Sequence, residues 1–543
     1  MSSTFERLIE SWLDSQSERL YQAAFIQLLV SEGWTVLHNT RHSPIELGKD
    51  VIARNSRGVL HCFQLKGNPG SRVTKSEAQS LLDQFIELLE ISPSSTFRST
   101  PSERHVAVFV TNGDIDEEAR LVFEGAGARV KKSTCPARKY ELWTRGELLA
   151  LLRKHSGTIW PASLDGARAI LNLFAEDGRL TPDPRIIARV LIANARVGKK
   201  LSSAAKSAHL SSLLLLAEII KAPWYATKNH YALFSITTLV SVYALPLADD
   251  PDRYATLERY CALAIEHCAD LLTEAKERSF EPDYVWAERD PLSERDIMWE
   301  RRRLIGDCAA ILILSGHKTE SRPYIESILE STFSAPRLWG LAAVPSLILK
   351  YWAINQARAS IKFDRLFGSQ LRAIIFAGTK SSKIRSLPTP HYNFEECWAY
   401  TNGLPFIWDS SIFKDSFEGR TWFARPMLFM LAKRNYKQTC KGIWSSFSHL
   451  VHETPQLPTR TFFDAAYSTE GKLVTYTYHK KEWSELVREA VDENQGRFLD
   501  DFSSLAWLIA AYITIVPYRA WDEVLMWLDT QLDRTWYHSG RVP

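Results

Sequence analysis

The sequence predicts a multidomain α/β plus all-α molecule: an N-terminal mixed-sheet domain, then a large helical region of bundle or solenoid-like build. Three observations predict it. Up to about residue 155 helical and strand patterns alternate; beyond residue 160 amphipathic segments follow one another with few strand signals; and the change falls at Trp160 and Pro161. The domains are drawn at 1–155 and 160–543, the second open to division into two subdomains, because 543 residues exceed what one core serves.

In SERLYQAAFIQLLVSEGW, Leu20, Ala24, Ile26, Leu28 and Leu29 recur at helical spacing, and Gly33 closes the helix. Trp34 to His38 reads as a strand, and a loop with Pro44 leads to a strand over Asp50 to Ala53. Ser56, Arg57 and Gly58 form a three-residue hairpin loop, with glycine at the left-handed position, before the strand Val59 to Lys66. Asn55 then faces Val59, Asp50 falls opposite Gln64, and alternation puts Lys66 on the face of Gln64. Helices over Lys75 to Leu89 and Ile115 to Gly125, strands over His105 to Val110, Ala128 to Lys131 and Tyr140 to Trp143, and a helix over Glu147 to Lys154 complete the domain, with Ser92 to Ser102 a polar connection. Farther on, the helical segments are Ala167–Ala175, Arg185–Ala195, Ser211–Lys221, Thr256–Glu274, Arg301–Leu314, Ser321–Ser331, Leu341–Ala357 and Leu505–Val516, with Phe462 to Tyr478 the one strand-like run.

Composition narrows the function classes. The net charge of +3 supplies no bulk case for nucleic-acid binding, so a binding face must be local; Lys131, Lys132, Arg138 and Lys139 make one candidate cluster, although a basic run of that length is more often a solvated edge. Seven cysteines without a CxxC pair match neither a zinc pattern nor a disulfide framework. The start, MSSTFERLIESWLDS, is no signal peptide, and the apolar run Leu213 to Ile220 is far short of the roughly 20 residues that cross a bilayer. A reducing, cytoplasmic setting without a membrane is the expectation. Eighteen tryptophans, mostly after residue 160, point to large buried cores there, with an aromatic binding surface as the less favoured alternative.

The hairpin gathers a carboxylate, an amide and an ammonium. Hydrolysis of a phosphodiester needs charge neutralised on phosphate oxygens and a water activated, which a hard cation such as Mg2+ or Mn2+ does when held by oxygen ligands. Asp50 can anchor the metal, Gln64 and the Leu65 backbone carbonyl can add oxygens, and Lys66 can orient the water or steady the developing charge. Alternatively, Gln64 belongs to a solvated sheet face and Lys66 guards its edge.

The segment ELGKDVIARNSRGVLHCFQLKG resembles the core of the PD-(D/E)XK superfamily, in its Mrr-like restriction endonuclease branch. YQAAFIQLLVSEGW before it, and HVAVFVTNGDIDEEARLVFEGAGARV and YELWTRGELLALL after it, resemble that family's flanking elements, over about residues 15 to 155. The resemblance implies a restriction-endonuclease-like domain cutting DNA with Mg2+, Asp50 a metal ligand, Gln64 in the slot more often held by an acid, and Lys66 the catalytic lysine. Where the family's first helix has a glutamate this chain has Gln22, with Glu18 one turn earlier as the acid to replace it. The leading expectation is a restriction or anti-phage defence endonuclease, with the helical region sensing or recruiting. The alternative is a catalytically inactive nuclease fold kept for DNA binding or assembly, its helical region making protein contacts. RNA as substrate, a partner protein such as an ATPase, and a homo-oligomer stay open; the chain has no ATPase motif of its own.

Other signals carry less. Val197 to Lys200 lacks the glycines of a phosphate loop, Gly125 and Gly127 are too few for a dinucleotide fingerprint, and His391, Asn393, Glu395 and Cys397 match no ligand spacing. Cys261 and Cys268, two turns apart, read as core thiols, and Gln79 and Gln84 as an outer helix face more than as a lining of the DNA path.

Overall fold

A computed structural model describes residues 2–39, 48–93, 103–159, 164–174, 177–195, 201–277, 294–316, 340–357, 363–377, 419–457, 459–467, 472–478, 481–491 and 496–532, with Tyr324, Glu326 and Ile328. The loop at Pro44, most of Ser92–Ser102 and Ser321–Ser331, the Trp160–Pro161 junction, Val197–Lys200 and the His391–Cys397 cluster lie outside the described residues.

Two helices, α1 (Ser2–Ser15) and α2 (Glu18–Ser31), precede the sheet strands β1 (Thr35–Asn39), β2 (Val51–Arg54) and β3 (Leu60–Lys66). The order continues with β4 (Arg72–Val73), α3 (Lys75–Ser80), α4 (Leu82–Glu90), β5 (His105–Thr111), β6 (Asp114–Ile115), α5 (Glu117–Gly127), β7 (Ala137–Trp143) and α6 (Arg145–Ile159). The five-stranded sheet runs β1-β2-β3-β5-β7, antiparallel as far as β3 and parallel from β3 to β7, which is the mixed sheet expected. Gly58 takes φ +76°, and the Asn55 amide donates to the Val59 carbonyl at 3.0 Å, so the hairpin has the register read from its turn.

The two sheet faces carry separate aromatic layers. Phe63 meets Phe25 of α2 edge-on at 5.3 Å, Trp143 at 5.6 Å and Trp34 at 5.7 Å. On the other face Ile52, Leu60, Cys62 and Phe109 pack against Phe85 of α4 and Phe123 of α5. Thr74 and Glu77 cap α3 reciprocally.

Three expectations are corrected here. Ala128–Lys131 is a 3-10 turn, not a strand; its four residues alternate, but β7 takes the place beside β5 and the turn prolongs the end of α5. The helix expected over Lys75–Leu89 is divided at Leu81. The helical region contains a three-stranded sheet of β8 (Arg420–Trp422), β9 (Val451–Gln456) and β10 (Lys472–Tyr476), while Phe462–Tyr467, inside the expected strand-like run, is helical. Among the described residues of that run, Lys472–Tyr476 pairs antiparallel with β9.

Packing divides the chain elsewhere than its pattern does. One compact unit comprises Met1–Gly178, Arg185–Lys228 and Ala244–Glu258; the other comprises Arg179–Pro184, Asn229–Tyr243 and Arg259–Pro543. The first therefore continues well past residue 155, through α7 (Leu164–Phe174), α8 (Pro184–Ala195), α9 (Ser203–Ile220) and α10 (Ala222–Thr227). The cause lies in α2, where Tyr21, Ala24, Phe25, Leu28 and Leu29 are all buried: one side meets the sheet and α9 packs along the helix as well.

The second unit is mostly helical, with α11 (His230–Ala244) and α12 (Pro251–Glu277) entering it from the first. There α13 (Glu294–Leu314) lies against α14 (Gly340–Gln356), and α15 (Phe363–Ala377) against α16 (Ala424–Lys433) and α17 (Lys437–Phe447). His230–Leu247 and Arg497–Ile515 are long and apolar enough to cross a membrane by length and composition, and both are largely buried within the fold. This is more than the short apolar run singled out in the sequence.

A chain ended at residue 160 loses α9 and leaves apolar surface of α2 and α6 uncovered. It is expected to unfold at lower urea, and to bind a hydrophobic dye more strongly, than a chain ended at residue 228; equal midpoints and equal dye binding would count against this role for α9.

Candidate active site at the end of the hairpin

Alternation from the pairs Val51 with Phe63 and Ile52 with Cys62 puts Asp50, Gln64 and Lys66 on one face, and just beyond the paired residues the Asp50 amide donates to the Phe63 carbonyl at 2.8 Å. This face also holds Ile52, Leu60 and Cys62, so the polar residues are the end of an apolar layer. Asp50 and Gln64 are 6% and 5% exposed. The Asp50 Oδ2 accepts the Leu65 amide at 2.6 Å and the Gln64 Nε2 at 3.0 Å. The Gln64 Oε1 is buried without a hydrogen-bond partner among the described residues. An oxygen so placed beside a carboxylate suits a hard cation, since an unmet buried acceptor is costly.

At Leu65 the engaged group is the amide, and the expected metal-binding carbonyl belongs to the same β3 backbone. Glu18, at the start of α2, lies with its Oε2 3.4 Å from the Lys66 Nζ, both side chains partly exposed. Its carboxylate thus stands beside the Lys66 ammonium. The Gln22 side-chain amide donates to Asn39, which pairs with Val51, at 2.8 Å.

Several residues that position the site escaped sequence reasoning. Tyr21 is fully buried, and its hydroxyl donates to the Lys66 carbonyl at 3.0 Å, tying α2 to the end of β3. Burial first, then the Glu18 and Asp50 carboxylates, push its phenol well above the ordinary range, so it stays a donor. Asn112, fully buried after β5, accepts the Asn68 amide at 2.7 Å and donates to the Leu13 and Gln16 carbonyls, holding the α1–α2 corner. Gly67 permits the approach itself, because a Cβ there would lie 2.4 Å from the Glu18 backbone nitrogen. Lys49 is fully buried and donates to the Glu87 carbonyl at 3.3 Å; burial lowers its ammonium to about 8. A QLKG run marked the strand end, but nothing local marked these partners.

The basic cluster is placed away from this site. Arg138 and Lys139 are exposed near the start of β7, and Val106, near the start of β5, pairs with Lys139. The site is at the finishing end of β3, which runs parallel to β5, so the two lie at opposite ends of the sheet. Gln79 and Gln84 are exposed, as an outer face implies, and Gly127 makes room for the Tyr140 ring. Cys261 and Cys268 are buried thiols.

In comparisons with protein-family models, curated proteins and solved structures, nothing matches this chain.

Gly67→Ala is expected to lower unfolding stability by roughly 1–3 kcal/mol, because backbone, not a flexible side chain, must give way. A urea midpoint equal to the parent's would show that α2 does not need this approach.

The buried Lys49 has a pH signature. Its folded pKa of about 8 lies below the ordinary 10.5, so the folded chain binds fewer protons between those values and stability rises with pH across that window. The stability of the parent relative to Lys49→Met is expected to increase from about pH 8 to 10.5; a difference constant with pH contradicts it.

Proposed function

We propose that the N-terminal domain is a restriction-endonuclease-like nuclease of the Mrr-like PD-(D/E)XK kind, hydrolysing DNA phosphodiester bonds with Mg2+ or Mn2+. The observation that carries this reading is the convergence of the buried Asp50 carboxylate, the unpartnered Gln64 Oε1 and the Lys66 ammonium, with Glu18 beside it, at one sheet end.

Asp50 and Gln64 would hold the metal, with Glu18 and the Leu65 carbonyl as further oxygens. When bound, the cation supplies charge neutralisation at the phosphate and a more acidic water. Lys66 steadies negative charge on the phosphoryl oxygens and orients the attacking water, and Glu18 fixes where its ammonium points. The Leu65 amide holds the Asp50 carboxylate in one orientation. Arg72 and Lys75, 70% and 57% exposed in their side chains, follow directly from the finishing end of β3 and can meet the DNA backbone; both also face acids, Asp116 and Glu118. The restriction or anti-phage role follows from the family resemblance, and a cytoplasmic setting and self-association belong to the same reading. Translocation along DNA would fall to a partner ATPase.

The ion pair of Lys66 with Glu18 favours one rival, a scaffold whose charges satisfy each other and cut nothing. The full chain on plasmid DNA, single-stranded DNA and RNA, with Mg2+, Mn2+ or chelator, separates the readings. DNA cleavage that needs the metal is expected, and RNA cleavage alone would move the substrate class. Lys66→Ala and Asp50→Asn should each lose about a hundred- to a thousandfold in rate. Asp50→Asn is chosen because alanine would strand the buried Leu65 amide, at about 1–3 kcal/mol. Gln64→Glu should retain metal-dependent cleavage and Gln64→Leu should impair it; a Lys66→Ala chain that cuts like the parent removes this assignment.

A further inference from the structure

In the second compact unit, α11 brings His230 to a face of α12 that carries His267, Asp270 and Glu274. The spacing of three and then four residues aligns those three side chains along one side of the helix. One ring nitrogen each from His230 and His267 and one Asp270 oxygen lie within 4.8 Å of one another. His230 Nδ1 is 3.8 Å from Asp270 Oδ2, and its Nε2 is 3.9 Å from Glu274 Oε2. These separations exceed hydrogen bonds. They approach the edge of a tetrahedral metal site, roughly 3.3 Å for ligand bonds of about 2.0–2.1 Å, so a small inward movement of side chains closes the set.

We infer that His230, His267 and Asp270 form a binding site for a divalent transition metal of the zinc class, clasping α11 to α12. Imidazole with one carboxylate selects Zn2+, Co2+ or Ni2+ over the hard cations. Glu274 faces the second nitrogen of His230, the place from which a carboxylate orients a metal-bound imidazole. His267 is 2% exposed and anchors the site inside, whereas the Asp270 side chain is 47% exposed and opens it to water as a fourth ligand. The oxygen-rich group at Asp50 belongs to the other compact unit and prefers a different class of ion.

The test uses the full chain, stripped of metal and titrated with Co2+ and then Zn2+. The parent is expected to develop the visible bands of four-coordinate Co2+, to lose them to one equivalent of Zn2+, and to melt at higher temperature with Zn2+ present. His267→Ala and His230→Gln should weaken Zn2+ binding at least tenfold, judged by the same bands and by calorimetry, and abolish the thermal gain. Since His267→Ala removes a buried ring, the partly exposed His230→Gln and Glu274→Gln serve as variants of intact core, the latter weakening binding about ten- to a hundredfold. Asp50→Asn should bind Zn2+ like the parent. Absence of the bands in the parent, bands that survive both histidine variants, or binding lost only in Asp50→Asn would each overturn the inference.

Discussion

A carboxylate that is 6% exposed at the mouth of a β-hairpin sets the terms for the N-terminal sheet. Burying Asp50 is tolerable because its oxygen receives the Leu65 amide at 2.6 Å and the Gln64 amide at 3.0 Å. Those bonds require Asp50 to lie beside the end of β3 on the face of Gln64, and that parity follows from the Gly58 turn. A slip of one residue would send Asp50 into the aromatic layer around Phe63 and bring Val51 to the polar end. The same arrangement that satisfies a buried charge leaves the Gln64 Oε1 buried without a hydrogen-bond partner among the described residues, two residues before Lys66 on the same strand.

The other half of that space comes from α2, and α2 stays in place through contacts that do not follow the order of the sequence. Phe25 meets Phe63 and Trp143, Tyr21 donates to the end of β3, and Asn112 ties down the corner before the helix. With α9 packed along it as well, α2 is a central layer and not a surface helix. The position of Glu18 near Lys66 therefore depends on residues beyond 200 as well as on the hairpin.

In the second unit, buried charges are matched over long spans of chain. Arg425 donates to Tyr478 at 2.7 Å and to Glu489 at 3.0 Å, and it also pairs with Asp522. Asp529, 1% exposed, accepts Trp352 at 2.9 Å and pairs with Arg434 and Lys433. Such clusters add little net stability against apolar replacements, but they penalise any packing that separates the partners. Trp224, Trp352 and Trp527 are among the largest fully buried side chains, in keeping with tryptophan as core material.

The sequence by itself determined the local chemistry: the mixed sheet followed by helices, the Gly58 hairpin with its register, the alignment of Asp50, Gln64 and Lys66, and the helical character of Tyr21 to Ser31. Each follows from a short-range rule, a period of two or 3.6 residues or a turn that only glycine enters without strain. Only the tertiary structure decided where the first compact unit ends, which acid reaches Lys66, that Gln22 turns to Asn39, that Ala128–Lys131 stays out of the sheet, and that β8, β9 and β10 pair. It also assembled His230 with His267 and Asp270. These depend on contacts between residues tens to hundreds of positions apart, selected by which surfaces can be buried together without an unpaired charge, and no local period in the chain encodes that choice.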